Sequence, residues 1–318
     1  MATMTDDNVG SGLRSSTGVG LGFAVLSAMS FGMSGTLAKG LLVAGWTPAA
    51  AVTARIVVAA LVLLIPGLIA LRGRWHLLRA NTGFVVVYGL VVVAGCQFAY
   101  FSAVDHMQVG VALLIEYTAP VAVVLWLWLR HGQRPGTKTA AGGVIAALGL
   151  VLVLDLISGA DLNPVGVGWA LLAMVGAATY FVMSAQVGNC LPPVVLAAAG
   201  LVVGGVALLL AGAVGLLDLT ASTAPASYAG TEVPWWLPVL ALGVVTCAFA
   251  YVSGIVASRA LGSRVASFVA LFEVLFALIF AWVALDELPR AIQFVGGVAI
   301  LAGVILVKLG ERSTVHAG

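Results

Sequence analysis

The sequence predicts an all-α polytopic membrane protein, with ten transmembrane helices arranged as two inverted five-helix repeats. Three observations carry that prediction: composition, the number of apolar windows, and an internal repeat. Of 318 residues, 62% are apolar and 8% charged, with a mean hydropathy of +1.16. A soluble domain is about half apolar and about a quarter charged. So much apolar surface cannot hide behind a wettable exterior, and lipid is therefore the main solvent.

A helix needs roughly 20 apolar residues to cross the hydrocarbon core. Punctuation by Gly, Pro and charge leaves ten such windows, at about 18–38, 48–71, 82–104, 109–129, 138–155, 165–187, 193–215, 235–258, 264–285 and 290–309. The first is not a cleavable signal. It is too long for an h-region, ends at Lys39 and lacks a small-x-small cleavage site. Residues 1–17, with Asp6, Asp7 and many Ser, Gly and Thr, read as a disordered cytoplasmic tail, and 310–318 as a second tail.

Charge sets the orientation. With the N-terminus inside, the inner loops and tails hold Arg14, Arg72, Arg74, Arg79, Arg130, Arg134, Lys138, Arg259, Arg264, Lys308 and Arg312, while the outer loops hold only Lys39 and Arg290. The positive-inside rule then places both termini in the cytoplasm of a cell with this chain in its inner, or plasma, membrane. The tryptophans, such as Trp46, Trp75, Trp126 and Trp235, fall near window ends, where an amphipathic ring prefers the interface.

The repeat shows in two blocks. Cys96-x-Phe98-Ala99-Tyr100-x-Ser102 recurs 151 residues later as Cys247-x-Phe249-Ala250-Tyr251-x-Ser253. Pro135, Gly142, Gly143 and Gly149 recur 154 residues later as Pro289, Gly296, Gly297 and Gly303. The halves are 18–155 and 165–309. Five helices per half is odd, so the second half inserts upside down. The loop 130–134, Arg-His-Gly-Gln-Arg, corresponds to the acidic Asp286-Glu287 segment, which agrees with that inversion. Inverted repeats are the architecture of alternating-access carriers with a midplane site.

On Arg55 after Pro48, the segment Ile115-Glu116-Tyr117-Thr118-Ala119-Pro120, Phe272-Glu273, Asp286-Glu287 and Gly296-Gly297, the chain resembles EamA-type members of the drug/metabolite transporter superfamily. The Glu116–Pro120 segment looks most like the threonine/homoserine exporter branch. The resemblance implies a ten-helix exporter, with helices 1–4 and 6–9 around a central cavity and helices 5 and 10 to the side.

Intramembrane ionisable residues are costly, and are a functional site by default. Here they are Arg55, Glu116 and Glu273. Arg55 and Glu116 each lie seven residues from the outer end of their window, roughly 10 Å deep at 1.5 Å per residue. Equal depth allows an Arg55–Glu116 ion pair; the alternative is that Arg55 holds a substrate carboxylate and Glu116 a proton or a substrate ammonium. Glu273, nine residues from the inner end, is about 14 Å deep, with no evident basic partner. Gln97 and Tyr100 share a helical face, and Tyr251 repeats Tyr100; these, with Tyr117 and Tyr180, are either cavity rims or packing residues. Pro120 is expected to kink the fourth helix and free carbonyls there. Asp286 and Glu287 either gate the outer mouth or cap helix ends.

The function these residues suggest is a secondary carrier exporting small polar or amphipathic metabolites, foremost amino acids, with a proton as the candidate coupling ion. No Walker motif is present to couple ATP directly. Efflux of lipophilic cations is the alternative within transport; the small multidrug relatives carry a Glu in their first helix, and window 18–38 has none. An intramembrane lipid-modifying enzyme would need a paired constellation, and His106 beside Asp105 is the lone candidate. Net charge of +2 without a basic cluster argues against nucleic acid. The three cysteines form no CxxC and the four histidines no HxxxH, so neither metal nor other cofactor is expected. A homodimer through the Gly-rich fifth and tenth helices is compatible with the pattern.

Overall fold

The computed structural model describes residues 6–106, 109–153, 163–285 and 291–315. It is helical but for one hairpin. In order, the elements are α1 (Asp6–Val43), α2 (Pro48–Leu71), α3 (Trp75–Ala80), α4 (Thr82–Val87), a π-helical segment (Tyr88–Gly95), α5 (Cys96–His106), α6 (Val109–Glu116), α7 (Ala119–His131), α8 (Thr137–Val153), α9 (Pro164–Ser184), α10 (Pro193–Ala213), β1 (Ala226–Tyr228), β2 (Thr231–Val233), α11 (Trp236–Gly243), a second π-helical segment (Val244–Phe249), α12 (Ala250–Val269), α13 (Phe272–Leu285) and α14 (Ala291–Val315). Helix α1 begins inside the 1–17 segment that composition reads as a tail, and α14 runs into 310–318.

Among the described residues, seven helices are long and apolar enough to cross a membrane: Gly18–Val43, Pro48–Leu71, Thr82–Ala103, Pro164–Ser184, Pro193–Ala213, Trp236–Val269 and Ala291–Gly310. Three shorter apolar helices accompany them, Ala119–His131, Thr137–Leu152 and Phe272–Ala284. Local chemistry sets several ends. Pro48, Pro164 and Pro193 occupy first-turn positions where no N–H is needed. The Asn163 side chain caps α9 by accepting from the N–H groups of Val165 (2.9 Å) and Gly166 (3.3 Å). Gly132, at φ 67°, stops α7.

The stretch Trp236–Val269 has 34 residues, about 50 Å as one straight helix against a core of about 30 Å. It is broken at Gly262 (φ 76°, ψ 160°), a backbone conformation costly for any residue with a Cβ. Two arginines flank that corner and fasten it to neighbouring loops. Arg259 Nη1 donates to the Leu191 carbonyl (2.6 Å) and Arg264 Nη2 to the Gln133 carbonyl (3.2 Å).

The repeat is visible as reciprocal packing. A Cβ on Gly142 would meet the Gly303 carbonyl oxygen at 2.6 Å, and one on Gly149 would meet the Gly296 carbonyl oxygen at 2.6 Å. Gly142 corresponds to Gly296 and Gly149 to Gly303, so the repeat exchanges the two contacts Gly142–Gly303 and Gly149–Gly296, as across a two-fold axis. Helices α8 and α14 therefore run antiparallel and touch backbone to backbone, the close approach that small residues permit in lipid. Their outer faces carry Val144, Leu148, Val295 and Val298, all more than half exposed.

The hairpin lies in the connection between α10 and α11. Tyr228 donates from its hydroxyl to the Leu37 carbonyl (2.7 Å) and its ring lies against Gly40 of α1. Partial burial pushes that phenol up to about 12, so it remains a donor at ordinary pH. The same connection accepts from Trp46 Nε1 at the Ser222 carbonyl (2.7 Å) and from the Thr47 hydroxyl at the Asp218 carbonyl (2.6 Å). It is thereby fixed over the ends of α1 and α2.

Candidate functional site

Irregular backbone surrounds the central cavity. The α6–α7 helix breaks at Tyr117-Thr118, and the second segment of the α12–α13 stretch breaks at Ala270-Leu271. These breaks fall at nearly equivalent places in the two halves, 153 residues apart, as do the two π-helical segments beside Cys96 and around Cys247. Broken helices within membrane depth are tolerated where they line a cavity, and they leave polar backbone groups to meet a ligand. Glu116 is the last residue of α6 and Glu273 lies in the first turn of α13. Both carboxylates thus stand at a break.

The cavity between these breaks has a volume of about 120 Å³, room for roughly four water molecules at their ~30 Å³ share of liquid volume. Gln97, Glu116, Tyr117, Tyr180, Tyr251 and Glu273 all line it. The Glu116 Oε1 accepts a weak bond from Cys96 Sγ (3.8 Å), and Cys96 Sγ also reaches the Ala173 carbonyl (3.4 Å). Tyr117 and Glu273 line the same cavity. Among the described residues neither carboxylate is paired with a guanidinium or ammonium.

Arg55 and Tyr100 are placed differently. Arg55, only 4% exposed, is not a cavity-lining residue. Its Nη2 donates to the Thr246 carbonyl (2.7 Å) inside the second π-helical segment, and its Nη1 to the Ser34 hydroxyl (3.3 Å). The guanidinium carbon also stands 5.7 Å from the Phe31 ring centroid, a cation–π contact. Of the two readings left open, the Arg55–Glu116 ion pair is not formed among the described residues; a carbonyl, a hydroxyl and a ring take its place. Tyr100 packs with Ala103, Ala112 and Ala170 and edge-to-face on Phe101 (5.5 Å); its counterpart Tyr251 faces the cavity. Asp286 and Glu287 lie outside the described residues. His106 is exposed and its Nδ1 bonds to the Ser102 carbonyl of its own helix (2.8 Å).

An aromatic wall joins Arg55 to the cavity. Phe31 meets Tyr251 edge-on (5.5 Å), Tyr251 meets Tyr180 (5.7 Å), and Tyr180 meets Phe181 (5.0 Å) and Tyr88 (6.4 Å). The Tyr88 hydroxyl is anchored on Ser184 Oγ (3.2 Å). The Tyr180 hydroxyl, pressed against Gly254, and the Ser258 hydroxyl are buried without a hydrogen-bond partner among the described residues, and both residues line the cavity. Buried hydroxyls are normally satisfied, so these two have bonding capacity left for a ligand or water.

Sequence reasoning missed Phe31, Ser27, Ser258 and Ser267. Ser27 Oγ donates to the Ala250 carbonyl (2.9 Å) and Ser267 Oγ to the Arg264 carbonyl (2.8 Å). Hydroxyls within apolar windows were the available signal, but serine bonds back to its own helix so commonly that type alone does not mark a lining position.

The EamA-like transporter family model matches residues 18–155 and 164–309, that is, both halves. No curated protein matches the chain. A solved crystal structure of a protein superposes with a TM-score of 0.73, covering 95% of this chain and 99% of its own at 21% identity. That likeness concerns the fold alone.

Proposed function

The chain belongs to the EamA-like transporter family, and on that premise we propose that it is a secondary carrier exporting small polar metabolites bearing an ammonium group, foremost amino acids, by alternating access. As a family member it is a multi-pass membrane transporter of small molecules. The observation that carries the finer reading is the placing of Glu116 and Glu273 at two symmetry-related helix breaks around one small cavity. Two carboxylates without a basic partner there attract a cation, and a proton or a substrate ammonium satisfies them. The aromatic rings of Tyr117, Tyr180 and Tyr251 supply faces for a cationic or apolar part of the same ligand. Ser258 and Gln97 supply hydroxyl and amide donors for a substrate carboxylate.

The inverted, ten-span arrangement belongs to the same proposal. The seven long helices with the three short ones provide the spans, and the reciprocal glycine contacts of α8 and α14 support the inversion. Both termini in the cytoplasm, and residence in the inner membrane, follow from the loop charges. A homodimer through α8 and α14 would use their valine and leucine faces, since the glycines are consumed within the chain.

Efflux of lipophilic cations is favoured by one specific observation: the lining residues include two carboxylates and several rings but no Arg or Lys, because Arg55 is held outside. The small volume favours an amino acid over a drug-sized cation. Solute counterflow in proteoliposomes separates the two. Amino-acid accumulation that a lipophilic cation does not compete away supports the first reading. Uptake of tetraphenylphosphonium with no amino-acid counterflow supports the second.

A further inference from the structure

Away from the central cavity, a groove of about 550 Å³ opens on the outer face of the bundle between α2, α4 and α10. Leu64 and Leu68 of α2, Val86 of α4, and Val195 and Val202 of α10 form its walls, and its lining is apolar except for Arg79 and Thr82. The Thr82 hydroxyl is spent on the Leu78 and Arg79 carbonyls (3.1 and 3.0 Å), which leaves Arg79 as the polar group that can act. Trp75, Leu78 and Arg79 of the short helix α3 close one end. Trp75 is 49% exposed, as a ring at the headgroup level is.

Charge at that end is one-sided. Arg72 follows the lining residue Leu71, Arg74 precedes the lining residue Trp75, and Arg79 lines the groove; all three are exposed. Between Asp7 and Asp105 the chain has no acidic residue, and α10 has none. Every element that builds the groove is therefore free of negative charge. A guanidinium cluster beside a long apolar slot matches a phosphate with an acyl chain attached. Basic pockets between transmembrane helices at the headgroup level bind anionic lipid headgroups on the same principle.

We propose that this groove is a binding site for an anionic phospholipid, its acyl chain between α2, α4 and α10 and its phosphate at Arg72, Arg74 and Arg79. The site is distinct from the central cavity and does not depend on what the cavity transports.

The test is native mass spectrometry of the detergent-purified full chain with dioleoyl phosphatidylglycerol or dioleoyl phosphatidylcholine, which share acyl chains and differ in headgroup. The wild type retains phosphatidylglycerol preferentially. Each arginine removed lowers that preference by on the order of fivefold, so Arg79→Gln weakens it and the triple variant R72Q/R74Q/R79Q abolishes it, with an unchanged elution volume and melting temperature. Val202→Trp, which fills the slot without touching the arginines, lowers retention of both lipids. Equal retention of the two lipids by the wild type would overturn the proposal, as would a preference that survives the triple variant. Competition by free glycerol phosphate at millimolar concentration would also overturn it, showing a site for a soluble anion rather than for a lipid.

Discussion

Arg55 illustrates how much of an intramembrane charge can be absorbed by the protein itself. Its guanidinium is held by the Thr246 carbonyl, the Ser34 hydroxyl and the Phe31 ring. Its first consequence is therefore structural: it ties α2 to the second π-helical segment and braces the aromatic wall. Replacing Arg55 by Ala leaves the Thr246 carbonyl without its donor, a loss of about 1–3 kcal/mol, read as a lower melting temperature in detergent. Arg55→Lys keeps a donor and recovers part of it. At the carboxylates the expectation is reversed. Glu116→Gln and Glu273→Gln keep the shape and remove the charge, so both variants fold with near-native melting temperatures and lose transport. A Glu116→Gln protein that transports normally would remove Glu116 from the mechanism.

The gap between sequence and structure is clearest at these same residues. Depth along the helix is readable from residue count, and it allowed Arg55 and Glu116 to meet. Rotation about the helix axis is not readable that way, nor is a main-chain carbonyl such as that of Thr246, presented by a π-helical segment that no residue type announces. Tyr100 and Tyr251 make the same point. They hold the same place in a repeated motif, yet Tyr251 lines the cavity and Tyr100 packs among alanines. A repeated motif records duplication; it does not require that both copies keep one role.

Among the elements, α8 and α14 are held by proximity rather than by apolar burial, which lipid does not reward between helices. Gly142→Val and Gly303→Val each force a side chain against a carbonyl oxygen now 2.6 Å from where a Cβ would sit. Separation of the helices costs on the order of 1–3 kcal/mol, measured as a lower melting temperature. Gly143→Val is the control: its Cβ would find only the Phe268 ring, at 3.4 Å, so its effect is smaller. The corner at Gly262 makes a related prediction. Gly262→Ala carries a Cβ at φ 76° and ψ 160°, costs about 1–3 kcal/mol, and loosens the turn that Arg259 and Arg264 fasten. Gly142, Gly143 and Gly303 were legible in the sequence as members of the repeat. Their pairing, Gly142 with Gly303 and Gly149 with Gly296, needed the fold.

For the whole molecule, the duplication explains why two breaks and two π-helical segments surround one cavity; the carboxylates are not counterparts, Glu116 preceding its break and Glu273 following its own. Alternating access asks that this cavity open to each side in turn, and two related halves around it supply the means. The proposed inversion predicts sidedness. In a Cys190→Ser background, a cysteine at Gln133 is labelled by a membrane-impermeant maleimide only from the cytoplasm, and one at Ala224 only from outside; the native Cys96 and Cys247 are buried. Labelling of both from one side would contradict the inverted arrangement.

The measurement that bears most directly on the central claim is counterflow in proteoliposomes loaded with a mixed amino-acid pool, with each labelled amino acid added outside. The account predicts selective accumulation of one class of amino acid by the wild type, abolished in Glu116→Gln and in Glu273→Gln proteins that remain folded. Accumulation that survives in both carboxylate variants would contradict the claim that these two residues at the helix breaks form the substrate site.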